Sequence, residues 1–306
     1  MAENLTLEDI GRLAGVSRST VSRVINDKSN VNPDVRERVL AVIERTGYYP
    51  NVHARSLVCG RTGVIGLVIT SRVHRLVEDA DLARLIQGIS TASNKAGNTL
   101  SLFIFQNEEE EAALYPRVVK SGVLDGLILT ATRMADPLLA RMAVGEIPLV
   151  IVGRPDVDGV SYVDVDNRGG ASRAATHLAD LGHERIGFIG APVTTTAGLD
   201  RLSGFVEGLA LRGLSLHPDL RSDGDFSAEG GYLAMQRLIP HRPDAVFAAN
   251  DSMAAGGLRA LHEAGARVPE DIALMGFDGF PASERAVPPL TTISQPVPET
   301  GARAVQ

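Results

Sequence analysis

Apolar and polar positions fall into two textures along this chain. Up to about residue 58 the apolar residues recur at helical spacing in short stretches: Leu7, Ile10, Leu13 and Ala14; Val21, Val24 and Ile25; Val35, Val39, Val42 and Ile43. Each stretch carries its own punctuation. Thr6 with Asp9 three residues on predicts a capping-box start, Gly15 a turn, and Ser17 the cap of a second helix. Asn32-Pro33 opens a third helix and Gly47 ends it. Tyr49-Pro50-Asn51 breaks the pattern, residues 52–58 make a last short helical stretch, and Gly60, Thr62 and Gly63 mark a linker.

After the linker, short apolar runs alternate with helical patterns. Strands are predicted over residues 64–70, 100–105, 126–130, 148–152, 161–165, 185–190, 245–248 and 272–277. Helices are predicted over 81–96, 109–121, 137–144, 168–181, 199–212, 228–238 and 252–264. Buried-type strands alternating with helices imply parallel sheets joined by right-handed crossovers. Pro155 to Gly159 interrupts the series near its middle, so two subdomains are predicted to divide there. The fold class is therefore a small all-α head followed by an α/β body of two parallel-sheet subdomains. A cleft between the sheets, at the carboxyl ends of their strands, is where a ligand would bind.

Composition narrows the class. The 306 residues are 44% hydrophobic and 22% charged, an ordinary globular balance. Cys59 is the only cysteine, which excludes an intrachain disulfide framework. No apolar stretch is long enough to span a membrane, and the acidic N-terminus lacks the features of a signal peptide, so a cytoplasmic location is expected and no membrane partner. The net charge of −7 argues against coating nucleic acid by bulk positive charge. It hides an asymmetry: residues 1–62 hold nine basic and seven acidic side chains, a net of +2, and the remainder carries −9.

The mildly basic head has the spacing of a helix-turn-helix, whose first helix braces on the backbone while the second enters the major groove. Arg18 and Arg23 can reach guanine N7 and O6, and Ser19 can approach a base edge without steric cost. Thr6, Ser17, Thr20, Ser22, Asn26, Asn32, Tyr48 and Asn51 suit the phosphate backbone, which fixes register without reading sequence. A bare three-helix pattern would equally describe a small bundle with its polar residues in water.

The match extends far beyond a bare pattern. Val16-Ser17, Thr20-Val21-Ser22-Arg23-Val24, Asn26, Gly47-Tyr48, Pro50-Asn51, Ala54-Arg55 and Leu57 make residues 6–62 resemble the lac repressor family of bacterial transcription regulators. In the body the resemblance continues through Asp166-Asn167, Gly182-His183, Arg201-Leu202-Ser203-Gly204-Phe205, Asn250-Asp251, Val268-Pro269-Glu270-Asp271, Gly276-Phe277-Asp278 and Pro289-Leu290-Thr291-Thr292. It implies a DNA-binding head at 1–50, a hinge helix and linker at 51–62, and an effector-binding and dimerisation domain at 63–306. Within the last, the N-subdomain would comprise about 63–155 and 294–306, and the C-subdomain about 156–293. It also implies a homodimer, or in some members a tetramer, on pseudo-palindromic double-stranded operator DNA. Leu57 would be the hinge wedge that opens a base step in the minor groove, with Ala54 packed small beside it.

The same resemblance places an effector pocket between the subdomains, with Arg201, Asn250 and Asp278 at its centre and Thr70, Ser71, Arg154, Asp166 and Asn167 extending it. A guanidinium, an amide and a carboxylate together suit a ligand rich in hydroxyls, so the expected effector is a sugar, with a purine corepressor as the alternative. Simpler roles exist for several of these: Asp166 and one of Asn250-Asp251 stand where a helix cap belongs, and Arg201 can be a surface helix residue. The chain departs from the family where many members carry a ligand-gripping arginine; here that place holds Ser172, with Arg173 one position along. Asp278 is followed by Gly279 where a second aspartate is common. The sequence stops at Val305-Gln306, as residues 298–306 begin a late helix; the family continues into further strand structure, and the expectation is an exposed sheet edge and a shortened helix.

The remaining features point away from chemistry. Four carboxylates at 108–111 favour the positive end of a helix. Seven scattered histidines, with His177 and His183 among them, form no metal-ligand cluster, and there is no Walker loop, Rossmann fingerprint or Ser-centred elbow. No enzyme activity, cofactor or metal is expected. Cys59, beside the hinge, is read as an inert small residue that could also meet its twin across a dimer axis. A sugar-binding transport protein would share the two-subdomain body but needs an export signal and no DNA-binding head; residues 1–62 oppose it on both counts. The reading is a transcription regulator, a repressor whose operator affinity answers to a small ligand.

Overall fold

A computed structural model describes residues 5–25, 29–48, 60–69, 80–105, 107–119, 122–130 and 133–306. They form two compact units, Met1–Thr62 and Gly63–Gln306, each described by itself. Asn26, Asn51, Ala54, Leu57, Cys59, Thr70 and Ser71, together with the predicted hinge helix at 52–58, lie outside the described residues.

Among its described residues the smaller unit holds three helices, α1 (Leu7–Ala14), α2 (Arg18–Ile25) and α3 (Pro33–Thr46). Its core is Ile10, Ala14, Val21, Val24, Val39 and Val42. Leu13, placed on the same apolar face by spacing, is 47% exposed, so α1 buries a narrower stripe than expected. Gly15 ends α1 in the left-handed conformation at φ 66°, where a side chain would be strained, and its N–H returns to the Arg12 carbonyl.

The larger unit contains two five-stranded sheets. In the first, β1 (Val64–Ile69), β2 (Thr99–Ile104), β3 (Gly126–Thr130), β4 (Leu149–Val152) and β5 (Ser161–Val163) lie in the order β2-β1-β3-β4-β5. Its crossovers include α4 (Ala80–Lys95), α5 (Glu108–Val119) and α6 (Pro137–Ala143). The second sheet runs β10-β9-β8-β6-β7, built from β6 (Ile186–Gly190), β7 (Arg221–Asp223), β8 (Ala245–Ala248), β9 (Ala273–Asp278) and β10 (Thr291–Ser294). Around it stand α7 (Asn167–Asp180), α8 (Thr196–Ala210), α9 (Ala228–Leu238), α10 (Asp251–Glu263) and the short α11 (Pro281–Glu284). Every strand pairing within the two sheets is parallel. The last helix, α12 (Val297–Ala304), returns to the first sheet, burying Val297 and Ala304 with Leu67, Ile69 and Ile89.

Two expectations need correction. The interruption from Pro155 to Gly159 does not divide the subdomains. It is a turn inside the first sheet, because β5 pairs with β4 through Val150–Ser161, Ile151–Tyr162 and Val152–Val163, and the chain leaves for the second sheet only after Val163. The edge strands β7 and β10 were also absent from the sequence-based pattern. Arg-Ser-Asp and Thr-Thr-Ile-Ser form no apolar run, since an edge strand need not be buried on both faces.

The second sheet holds the larger core. Phe188, Phe205 and Phe247 stack with centroids 4.9 to 5.8 Å apart, and Phe277 lies 6.4 Å from Phe247. Helix α8 approaches α7 so closely that a Cβ on Gly204 would collide with the Arg168 carbonyl. That approach brings the buried face of α8, and Arg201 upon it, against the start of α7.

Candidate functional site

In the head, local hydrogen bonds set the polar side chains. Thr6 accepts the Asp9 N–H at 3.3 Å while the Asp9 carboxylate accepts the Thr6 N–H at 3.0 Å, the reciprocal capping box the spacing predicts. The Arg12 guanidinium also reaches Asp9, and Thr6 and Arg12 together hold this carboxyl below its ordinary range. Ser17 accepts the Thr20 N–H at 3.2 Å, and its hydroxyl lies 2.8 Å from Ser19 Oγ and 2.9 Å from Thr20 Oγ1. Three hydroxyls therefore gather at the opening of α2, where the helix end favours an anion such as phosphate.

Arg18, Ser19 and Arg23 are all exposed on α2, with Ser19 and Arg23 one turn apart on the same face. Arg18 is engaged by Glu8 of α1 through one nitrogen at 3.1 Å, a contact open to water on both sides. Asn32 caps α3, accepting the Asp34 N–H at 2.8 Å, which leaves its amide hydrogens for another partner. The Tyr48 ring packs on the head core, and burial raises its phenol above the ordinary tyrosine range.

The body assembles a polar cluster where α7, α8, the end of β8 and the end of β9 converge. Arg201 is only 6% exposed. Its Nε donates to Asn167 Oδ1 at 2.9 Å, its Nη1 to Asp278 Oδ1 at 3.2 Å and to the Ala249 carbonyl, and its guanidinium lies 3.9 Å from the Phe277 ring centroid. The surface-helix alternative for Arg201 is thereby overturned: burial demands partners, and the arginine has them.

Asp278 sits at φ +120°, rare for a residue with a side chain, at a cost of about 1–3 kcal/mol. Its carboxylate is held by Arg201 and by the Gln295 amide, and its carbonyl accepts the Gln295 N–H at 3.0 Å.

The other expected residues divide. Asn167 belongs to the cluster and also donates to Asp164 Oδ1 at 3.1 Å. Asp166 caps α7, accepting the Gly169 N–H at 2.7 Å. Asn250 likewise caps α10 through the Met253 N–H at 2.8 Å and donates to the Phe226 carbonyl at 3.0 Å. Arg154 does not join the cluster around Arg201. It forms a two-pronged pair with Asp200, Nε to Oδ2 at 3.0 Å and Nη2 to Oδ1 at 2.8 Å, which strengthens its hold on its proton.

Sequence reasoning missed several participants. Burial raises the Asp164 carboxyl despite N–H bonds from Val165 and Arg154, and the acid-rich run to Asp166 was its only signal. Asp251 is 1% exposed and accepts from the Phe280 N–H and Ser283 hydroxyl at 2.8 Å and the Thr292 hydroxyl at 2.6 Å, pinning the segment after β9. Nothing local pointed to Asp200 or Gln295. Arg173, off register with the missing family arginine, lines a groove of about 250 Å³ with Asp164, Asp166, Glu299 and Arg303, and the groove borders the cluster through its Gln295 and Phe277. Among the described residues no helix is long and apolar enough to cross a membrane.

Residues 6–51 match the model of bacterial regulatory proteins of the lacI family, and residues 175–306 match a periplasmic binding protein-like domain. Over 296 residues the chain is 39% identical to the HTH-type transcriptional regulator CelR of Thermobifida fusca, covering 95% of this chain and 87% of that protein. It is 35% identical to the ribose operon repressor of Escherichia coli K12 over 98% of this chain and 91% of the relative. Two solved structures share the architecture. A complex of CelR with cellobiose superposes with a TM-score of 0.76 at 36% identity, covering 98% of this chain and 91% of the other. The lac repressor dimer bound to operator and the anti-inducer ONPF gives 0.85 at 28% identity, over 99% and 91%.

Proposed function

The chain belongs to the lacI family of bacterial regulatory proteins and is a DNA-binding transcription regulator, not an enzyme; on that footing we propose that it is a repressor governed by a sugar. The observation that carries the proposal is the buried cluster of Arg201, Asn167 and Asp278, which sits on the same chain as an exposed Arg18, Ser19 and Arg23. The cluster offers a carboxylate, an amide and a guanidinium to a hydroxyl-rich ligand. The cellobiose bound to CelR, a relative alike along nearly the whole chain, makes a sugar the first choice. The protein acts in the cytoplasm as a homodimer on a pseudo-palindromic operator. Arg18, Ser19 and Arg23 read bases, and Thr6, Ser17, Thr20, Ser22, Asn26, Asn32, Tyr48 and Asn51 set register on the backbone. Leu57 and Ala54 of the hinge enter the minor groove. Thr70 and Ser71 are further members of the proposed effector set.

Coupling follows from linkage. A sugar that binds one arrangement of the two subdomains better than the other shifts the population toward it, and operator affinity changes by the same factor that operator changes sugar affinity. A thermal-shift screen of sugars and purines, beginning with cellobiose, tests this. A specific sugar at 100 times its Kd should stabilise the protein by about 2.7 kcal/mol, and Asp278→Ala should lose that shift. A shift retained in Asp278→Ala would move the pocket elsewhere, and a response to purines alone would replace the sugar.

A further inference from the structure

The two subdomains of the body are joined by more than the covalent segments that pass between their sheets. Residues 133 and 134 follow β3 of the first sheet, and residues 194 and 195 follow β6 of the second; Arg133 and Thr195 pair as an antiparallel bridge. The Met134 N–H donates to the Thr194 carbonyl at 2.7 Å. Immediately beside this bridge, the Thr196 hydroxyl donates to the Arg154 carbonyl at 2.7 Å, and the Arg154 side chain grips Asp200 on α8 with two nitrogens. Arg154 follows β4 in the first sheet, whereas Thr196 and Asp200 open the first turns of α8 in the second. Main chain meets main chain, hydroxyl meets carbonyl, and guanidinium meets carboxylate, as one short stretch of the second subdomain, residues 194–200, meets the first at two places, after β3 and after β4. On the second-sheet side, Arg201, the next residue along α8, already belongs to the buried cluster.

We infer that Arg154 and Asp200, with the bridge at Met134 and Thr194, form a clasp that holds the cleft shut, and that Asp200 is the positioning residue that takes Arg154 out of the ligand set. Three features support a switchable device over static packing. The Arg154 and Asp200 side chains keep 38% and 21% of their surface in water, so both charges retain some hydration when the pair parts. The geometry is two-pronged, which gives a discrete made or broken state. The bridge is isolated and belongs to neither five-stranded sheet, so opening it disrupts no sheet. The Arg84 guanidinium, reaching the Gly279 carbonyl at 3.4 Å, makes a further and looser contact between the subdomains. The inference rests on the ligand reading above only for its consequence: a sugar enters when the clasp is open and is retained when it is shut.

The clasp itself is tested without ligand, by amide hydrogen exchange on the full-length protein. The Met134 amide should report opening, while the Leu127 amide, which donates to the Pro148 carbonyl inside the first sheet, should report only sheet stability. Asp200→Asn should speed Met134 exchange by about tenfold and leave Leu127 unchanged. The exchanged pair Arg154→Asp with Asp200→Arg should restore slow exchange. Equal Met134 rates in wild type and Asp200→Asn, with Leu127 protection confirming the fold, would overturn the clasp; so would a charge swap that exchanges no more slowly than Asp200→Asn. Cellobiose binding to the wild type is measured separately, so its failure would count against the sugar and not against the clasp.

Discussion

The head and the body hold their polar residues by opposite means. In the head, Thr6 and Asp9, Ser17 and Thr20, and Asn32 and Asp34 are partners two or three residues apart, exposed and arranged along helix openings. In the body, Arg201 reaches Asn167 34 positions back, Ala249 48 ahead and Asp278 77 ahead, and all of these contacts are buried. Local, solvated groups can be spent on an outside partner at small cost, because each retains water as an alternative. Buried groups that satisfy one another are a fixed frame, and a ligand must match that frame or pay to rearrange it. The DNA-facing surface is therefore expected to tolerate change, and the cleft to resist it.

Four substitutions put numbers on that contrast. The largest effect should come from Arg201→Met, which strands the Asp278 carboxylate and the Asn167 amide; a loss of about 3–5 kcal/mol in urea unfolding followed by circular dichroism is expected. Exchange protection in α1–α3 should stay at its wild-type level, and a parallel loss there would erase the distinction between the units. Asp251→Ala removes the acceptor from two hydroxyls and a backbone N–H and should cost about 3 kcal/mol in the same measurement. Arg18→Ala should leave folding untouched and cost about 1–3 kcal/mol of affinity for the cognate operator, concentrated at one base pair. Equal losses on every DNA sequence would make Arg18 a phosphate contact. The smallest effect belongs to Thr6→Ala, about 1 kcal/mol of head stability through loss of the capping box. A cost as large as that of Arg201→Met would show that the head, too, depends on cooperative polar contacts.

The same contrast explains what was legible in the sequence. Thr6, Gly15, Ser17, Asn32 and Gly47 could each be assigned a cap or turn from neighbours alone, and the structure gives each that role. The strands of the sheet interiors were equally plain, since β3 and β8 are buried apolar runs with the predicted ends. Edge strands β7 and β10 were not, because a solvated edge places no apolar demand on Arg-Ser-Asp or Thr-Thr-Ile-Ser. In the body, Asp278 and Arg201 were legible only through family resemblance. Their meeting depends on α8 packing against α7 at Gly204, which no local pattern encodes. Asp200 and Gln295 remained invisible for that reason, and Asn250, prominent by resemblance, proved to be engaged as a cap.

Operator affinity measured with and without a bound sugar tests the central claim most directly. Fluorescence anisotropy on operator DNA, with cellobiose or whichever sugar raises the melting temperature, should show a shift of about 5- to 150-fold in Kd, the range of ordinary allosteric coupling. Asp278→Ala should bind the same operator with wild-type affinity and show no shift. A sugar that stabilises the wild-type protein yet leaves its operator affinity unchanged would contradict the coupling of cleft to head.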